Sequence, residues 1–366
     1  MVEWKKLDTL LDFEQPTPYL VKSTEYDDTY ETPVLTAGQS LVLGYTNETD
    51  GIYKANKDKP TIIFDDFTTS FHWIDFNFKV KSSAMKMLRP KKDVNFRYVY
   101  YSMRGINFVP GGHQRHWISK YSQFEIPIPS LSEQNRIVDI LDTFTSSIEN
   151  LKQQIAERRK QYEYYRDQLL DLEGKEGVEI KKMGDICDTL SGFPFDSSQF
   201  SDEGIRLMRG MNVKRGFFDF SECNNKYWRS SEGLEKYLLE SNDIIISMDG
   251  SLVGRSFCYL NKEHLPLLLV QRVARIRTNK NFKYIYYHIT NRFPDYVDKK
   301  KTAGAIPHIS MNDINNFIIP LPSPNEQSRI VSILDTFEAS ISNLEAQLKE
   351  REKQYEYYRN QLLTFK

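Results

Sequence analysis

The sequence predicts an α+β chain: two globular mixed α/β lobes held apart by two long antiparallel coiled-coil helices, in a pseudo-two-fold tandem duplication. Three observations predict it. The stretch PIPSLSEQNRIVDILDTF, closing on QYEYYRDQLL, begins at Pro127 and returns from Pro320 as PLPSPNEQSRIVSILDTF and QYEYYRNQLL. So long a period excludes a solenoid and marks a duplicated domain with its helix. Within each copy apolar residues recur in alternating steps of four and three, the seam of a coiled coil. Finally, NFRYVYYSM (Asn95 to Met103) is echoed by NFKYIYYHI (Asn281 to Ile289), and Glu3-Trp4-Lys5-Lys6-Leu7 by Glu179-Ile180-Lys181-Lys182-Met183. The lobes are therefore duplicated too, although their interiors do not align.

The expected order is lobe 1 (1–126), rod 1 (127–172), a Gly/Glu/Lys linker (173–177), lobe 2 (178–319) and rod 2 (320–366). The first seam runs Ile137, Leu141, Phe144, Ile148, Leu151, Ile155, Arg158, Tyr162, Tyr165, Leu169. The second runs Ile330, Leu334, Phe337, Ile341, Leu344, Leu348, Arg351, Tyr355, Tyr358, Leu362. About 40 residues make a rod of roughly 60 Å. An ordinary core-facing helix would be shorter and would drift from a strict 3.5-residue period. Ser132 and Asn325 are the expected N-caps, each followed by a glutamate, Glu133 or Glu326, that suits the positive helix end. Prolines 127, 129, 320, 322 and 324 stop helix from running in from upstream. Arg158 and Arg351 are the polar seam members. They either fix register or reach out to a rim glutamate. Two copies related by an axis perpendicular to the rods must run antiparallel.

Each lobe mixes strands and helices. Residues 33–35, 40–43, 61–64 and 76–80 are β-like in lobe 1. Residues 207–208, 244–248, 256–260 and 268–276 are β-like in lobe 2, with Gly, Asn and Asp turns between them. The NF(R/K)Y(V/I)YY segments read as partly buried helices. At 366 residues and 40% hydrophobic content, each lobe can bury its own core. No apolar run reaches the ~18 residues of a membrane span, and the first ten residues lack a signal-peptide core. Three cysteines without CxxC spacing, Cys187, Cys223 and Cys258, read as reduced thiols of a cytoplasmic protein.

The net charge of −1 argues at face value against nucleic acid. Its distribution argues otherwise, because the rods carry the acidic excess and leave the lobes mildly basic. In lobe 1 the bases Lys79, Lys81, Lys86, Arg89, Lys91, Lys92 and Arg97 surround one acid, Asp93. Lobe 2 gathers Arg272, Arg275, Arg277, Lys280, Lys283, Arg292, Lys299, Lys300 and Lys301. A local basic face matters more for phosphate contact than the whole-chain sum, although such runs are often only solvated surface. Several loops pair glycine with side chains suited to base edges. Asn and Gln can bind adenine bidentately and Arg guanine. The candidate DNA-contacting residues are Gln39, Tyr45, Asn47, Thr68, Thr69, Lys79, Lys81, Ser82, Lys86, His113, Gln114 and Arg115 in lobe 1. In lobe 2 they are Arg209, Asn212, Arg215, Ser247, Asp249, Arg272, Lys299 and Lys300.

No catalytic constellation is present. The chain has no GxG fingerprint, no GK(S/T) phosphate loop and no Pro-Pro pair of an adenine methyltransferase motif. Asp65-Asp66 fits a turn better than a metal pair. His113-x-x-His116 belongs to a surface loop. No metal site and no cofactor of its own are expected.

A diverged lobe, a Pro-rich lead into SEQ or NEQ, then RIV-x-ILD and a long helix ending QLL, all duplicated, resembles the specificity subunit of Type I restriction–modification enzymes. The resemblance covers the whole chain. It implies that the lobes are target-recognition domains, each reading one half of a bipartite double-stranded DNA site. The helices would be spacer regions that set the gap and dock two methyltransferase subunits, restriction subunits completing the complex. S-adenosylmethionine, ATP and Mg would be bound by those partners. The docking and coiled-coil set is Glu133, Gln134, Ile137, Leu141, Phe144, Arg158, Tyr162 and Tyr165, with Glu326, Gln327, Ile330, Leu334, Phe337, Arg351, Tyr355 and Tyr358. Stretches Asp12–Tyr19, Thr32–Gly38, Gly44–Ile52, Phe64–Thr69 and Phe78–Lys86 look like one type of recognition domain, and Leu190–Phe195 with Ile246–Gly254 like another. Gly111-Gly112-His113-Gln114 resembles a glycine loop near the end of these domains. Its lobe 2 counterpart, Thr302-Ala303-Gly304-Ala305, lacks the Gln. Rival readings are a coiled-coil scaffold, a two-headed DNA-binding protein without methyltransferase partners, and an enzyme with an unfamiliar site.

Overall fold

The computed structural model describes residues 2–36, 41–91, 94–111, 114–300 and 307–365. The chain divides into two compact units, Met1–Gln153 with Glu345–Lys366, and Gln154–Leu344. Neither rod is a body of its own: each gives its first half to one unit and its second half to the other. The boundaries expected at residues 126 and 319 therefore do not delimit the compact units.

The first unit contains β1 (Glu3–Lys6), α1 (Leu7–Leu10), β2 (Leu11–Glu14), β3 (Thr32–Leu35), β4 (Val42–Thr46), β5 (Thr61–Asp65), β6 (Phe71–Ile74), β7 (Lys79–Val80), β8 (Met85–Pro90), α2 (Phe96–Met103), β9 (Glu125–Ile128) and the start of α3 (Leu131–Leu170). The second has β10 (Glu179–Lys182), α4 (Met183–Ile186), β11 (Asp188–Ser191), β12 (Ile205–Met208), β13 (Tyr227–Trp228), β14 (Ile244–Ser247), β15 (Phe257–Tyr259), β16 (Leu267–Leu269), β17 (Val273–Arg277), α5 (Phe282–Lys300), α6 (Met311–Asn315), β18 (Ile318–Leu321) and the start of α7 (Pro324–Leu363).

Their sheets have one topology. A ribbon pairs the first and last strands, β1–β9 or β10–β18. A four-stranded sheet runs β2-β8-β5-β6 in one unit and β11-β17-β14-β15 in the other. A three-stranded sheet runs β4-β3-β7 or β13-β12-β16, with its second pair parallel in both cases. The duplication thus extends through lobe interiors whose sequences no longer show it.

The strand period of two explains how one strand serves two cores. In β5, Ile62 and Phe64 join α2 and the α3 start, whereas Ile63 packs with Leu35, Phe78, Val80 and Met85. In β14, Ile244 and Ile246 face α5 and α7, and Ile245 faces Met208 and Leu267. The expected strand 268–276 is split in two at Gln271-Arg272, where Arg272 takes φ +62° and turns the chain.

The NF(R/K)Y(V/I)YY repeat is the joint between lobe and rod. Asn95 caps α2 by accepting from the Tyr98 amide at 3.0 Å. Tyr98 donates its hydroxyl to the Pro127 carbonyl at 2.8 Å, and Tyr101 donates to Asp142 on α3. In the second unit Tyr284 donates to the Pro320 carbonyl at 2.6 Å, and Tyr287 to Asp335 of α7 at 2.6 Å. Burial and these carboxylates push the Tyr101 and Tyr287 hydroxyls far up, so both stay protonated donors.

The rods start two residues before the expected helix, at Leu131 and Pro324, and the expected caps Ser132 and Asn325 are corrected. Ser130 and Ser323 occupy the N-cap, accepting from the amides of Glu133 and Glu326 at 3.4 and 3.3 Å. Ser-x-x-Glu is the spacing of a capping box, and Pro324 takes the first helical position. Among the described residues, no helix is long and apolar enough to cross a membrane.

One position gives the second unit a pH response. His288 on α5 is fully buried, neither ring nitrogen has a hydrogen-bond partner among the described residues, and burial pushes its imidazole down to about 3. The unfolded chain binds that proton near pH 6.5, the folded one only near 3, so stability falls as pH drops between these values. The counterpart in lobe 1 is Ser102. Replacing His288 by Phe is expected to remove a slope of up to a few kcal/mol in unfolding free energy between pH 6.5 and 4. An unchanged slope on urea titration would refute it.

Candidate nucleic-acid interface

Four loops converge at one end of the first unit. The loop after β3 is closed by the Thr36 amide donating to the Leu41 carbonyl at 2.9 Å. Beside it the Lys81 amide donates to the Leu35 carbonyl at 3.0 Å, fixing the turn between β7 and β8. In the β5–β6 turn Asp65 Oδ1 accepts from the amides of Phe67 and Thr68, both at 2.8 Å, so this carboxylate shapes a turn. The loop before β9 is tied down where the His116 amide donates to the Asp66 carbonyl at 2.8 Å. Thr68, Lys81, Gln114 and Arg115 are exposed around this convergence and Ser82 is half-buried. Gln39 and His113 lie outside the described residues.

Several candidates in lobe 1 hold other roles. Lys79 is 1% exposed, with Nζ 2.9 Å from Glu48 Oε2 and 2.7 Å from the Asp50 carbonyl. Lys86 is equally buried and pairs with Asp66 at 3.2 Å while donating to Gln15 Oε1 at 3.0 Å. Both lysine side chains are turned inward onto carboxylates, Glu48 mostly and Asp66 fully buried, and leave no exposed ammonium for a phosphate backbone. Thr69 is buried in its turn with φ +58°. Tyr45 and Asn47 lie at the far end of the β3–β4 ribbon from these loops, because Thr32 pairs with Thr46 there. Much of the basic cluster is also paired internally: Arg89 with Glu14, Lys91 with Asp12 and Arg97 with Asp142.

The second unit repeats the convergence. The Val270 amide donates to the Met208 carbonyl at 3.1 Å, the Met248 amide to the Arg272 carbonyl at 2.9 Å, and the Ile309 amide to the Met248 carbonyl at 2.9 Å. Arg272 is 71% exposed, with Nη1 3.2 Å from Asp249 Oδ2. A Cβ on Gly210 would lie 3.1 Å from Ser247 Oγ, which brings Arg209 against the β14–β15 turn. Arg215 is exposed in the turn closed by the Lys214 amide on the Phe217 carbonyl at 3.0 Å. Lys299 and Lys300 are exposed at the end of α5. Asn212 and Ser247 are corrected: Asn212 is fully buried and donates Nδ2 to the carbonyls of Asp219 and Asn224, and Ser247 is buried beneath its turn. Arg275, Arg277 and Arg292 are consumed by Asp188, by Glu240 with Asp243, and by Asp171 with Glu173. Gln271, exposed beside Arg272, was missed. Its signal was concealed inside what reads as one continuous strand.

The rod residues divide by position. Glu133 forms a two-pronged pair with Arg136, and Glu326 with Arg329, whose guanidinium groups hold both carboxyls below their ordinary range. Gln134 and Gln327 are buried, donating Nε2 to the Pro129 and Pro322 carbonyls at 2.9 Å. Ile137, Leu141, Ile330 and Leu334 are fully buried in the lobe cores. These six pack within the chain and are not surfaces for a partner. In the first unit Phe144 stacks on Tyr358 at 5.2 Å, Lys152 pairs with Glu352, and Arg351 lies 5.6 Å from the Phe144 ring, so the two helix segments run antiparallel there. Tyr355 is buried in the same core. In the second unit Tyr165 stacks on Phe337 at 5.5 Å, Tyr162 donates to Glu338 at 3.0 Å, and Arg158 lies 5.9 Å from the Phe337 ring. Each seam arginine thus rests on a phenyl face. Off the seam, Tyr164 and Tyr357 are exposed.

A family model described as Type I restriction modification DNA specificity domain matches residues 1–158 and 175–353. The Escherichia coli Type I restriction enzyme EcoR124I/EcoR124II specificity subunit is 42% identical over 389 aligned residues, covering 100% of this chain and 94% of the relative. A putative Type I restriction enzyme specificity subunit of Haemophilus influenzae is 26% identical, covering 100% of the chain and 96% of its own length. Among solved structures, a Type I restriction–modification S subunit from M. genitalium superposes with a TM-score of 0.68 at 17% identity, covering 100% of this chain and 97% of that one.

Proposed function

The chain belongs to the Type I restriction modification DNA specificity family, and from that premise we propose that its two loop clusters read the two halves of a bipartite DNA site. The observation that carries this is the repeated convergence of four loops on one shared topology, with different side chains on each: Thr68, Lys81, Gln114 and Arg115 in one unit, Arg209, Asp249, Gln271 and Arg272 in the other. A common scaffold with diverged loops is what two readers of different sequences require. Each correctly read base pair contributes about 1–3 kcal/mol, and linking two readers makes the second contact intramolecular. The helices α3 and α7 set the distance between half-sites, and Tyr164 and Tyr357 offer apolar contact to methyltransferase subunits. Methyl transfer and cleavage belong to those partners and to restriction subunits, which bind S-adenosylmethionine, ATP and Mg.

Exchange of residues 178–319 for a lobe of different specificity tests the reading. Mapping of methylated adenines in the assembled complex should show one half-site changed and the other intact. A change in both halves would overturn it.

A further inference from the structure

We propose that the buried Asp66–Lys86 pair is a positioning device that sets the reading loops of lobe 1, and that lobe 2 lacks it. The inference rests on the DNA-reading role proposed above. Asp66 is 2% exposed and Lys86 1% at the side chain. Through backbone and side chain, Asp66 holds three segments at once. Its amide donates to the Ala84 carbonyl of the β7–β8 turn at 3.0 Å, and its carbonyl accepts from His116 at 2.8 Å. Its Oδ1 accepts from the Trp117 amide at 2.7 Å, and Oδ2 faces Lys86 Nζ at 3.2 Å. Lys86 in turn donates to Gln15 at the end of β2. The candidate readers Thr68, Ser82, Gln114 and Arg115 all lie within three residues of a clamped atom.

A buried ion pair is weak as a source of stability, because desolvation offsets its attraction, and apolar replacement of both partners is often neutral. A buried side-chain oxygen that accepts a loop amide in a water-poor site does specify geometry, since that amide is costly to leave without its acceptor, and Lys86 holds the other carboxylate oxygen so that Oδ1 stays aimed at Trp117. Lobe 2 is the internal contrast. Met248 stands at the Asp66 position, its carbonyl accepting from Ile309 at 2.9 Å, and Ala274 stands at the Lys86 position, so both members of the pair are replaced by apolar residues. There the acid, Asp249, is at the surface and pairs with exposed Arg272.

The test uses the complex assembled with its methyltransferase subunits and duplexes altered in one half-site at a time. D66L/K86M removes the charge and the acceptor for Trp117, whereas D66N/K86M removes the charge but keeps that acceptor. D66L/K86M is expected to lose about tenfold or more of the discrimination at the lobe 1 half-site, the size of one base contact, with lobe 2 discrimination unchanged. D66N/K86M should retain most of it. If D66L/K86M melts early, D66S/K86M, too short to reach Trp117, takes its place. Equal discrimination in the acceptor-keeping and acceptor-lacking variants, or equal loss at both half-sites, would overturn the proposal. If the wild-type complex itself shows no two-part site, the underlying reading fails instead.

Discussion

Replacing Lys79 by alanine is expected to destabilise the first unit by about 3 kcal/mol, while Lys81→Ala, two residues on, changes stability by less than about 0.5 kcal/mol. Lys79 is 1% exposed and Glu48 13%, so truncation leaves a mostly buried carboxylate without its cation. Breaking such a pair costs about 3–5 kcal/mol. The lower end applies here because Glu48 keeps the amides of Lys22 and Ser23 at 2.8 and 2.9 Å. Lys81 is exposed, its ammonium 5.9 Å from the Tyr26 ring. Removing it should instead lower the salt dependence of DNA binding by about one phosphate contact. Urea unfolding and DNA binding across a salt series separate the two lysines. A stable Lys79→Ala protein with weakened, less salt-dependent binding would show that Lys79 faces DNA after all.

The contrast explains what the sequence could convey about the interface. Lys79, Lys81 and Lys86 alternate in the same basic run, and no local pattern tells a phosphate-facing lysine from one folded under a turn. The difference is made by Glu48 and Asp66, 31 and 20 residues away from their partners in the chain, brought close only by β3–β7 and β5–β8 pairing. Asn212 misleads in the same way: an adenine-reading side chain by type, it serves two carbonyls of its own loop. Loop positions, by contrast, were legible. Glycine and turn residues placed Gln114-Arg115, Arg209 and Asp249 in loops outside the strands, although the same signal at Gly44-Tyr45-Thr46 falls within strand β4. Topology was legible only through its edges, because the NF(R/K)Y(V/I)YY joint and the first-strand echo survive where the lobes meet the rods. Between them, recognition loops and the strands bearing them share a backbone plan and no readable side-chain pattern.

The rods were legible to the residue in period, yet a strict heptad says nothing about what covers each turn. Leu141 and Leu334 are fully buried among lobe residues, whereas Tyr165 and Tyr358, on the same seams, are 45% and 44% exposed. Leu141→Ala and Leu334→Ala are therefore each expected to cost about 2–5 kcal/mol, the range for a leucine removed from a core that cannot collapse around the gap. Tyr165→Ala and Tyr358→Ala each lose a stacked ring against Phe337 or Phe144 at 5.5 or 5.2 Å, worth about 1 kcal/mol beside a half-exposed surface. The two leucine effects should also separate by unit. Leu141 belongs with α2 and β9, Leu334 with α5 and β18, so hydrogen exchange should rise in the lobe that lost its leucine. Four equal effects would mean that the seam is a uniform coiled coil. A large loss at the tyrosines and a small one at the leucines would place the stability of these helices in their pairing with each other, not in the lobes from which they grow.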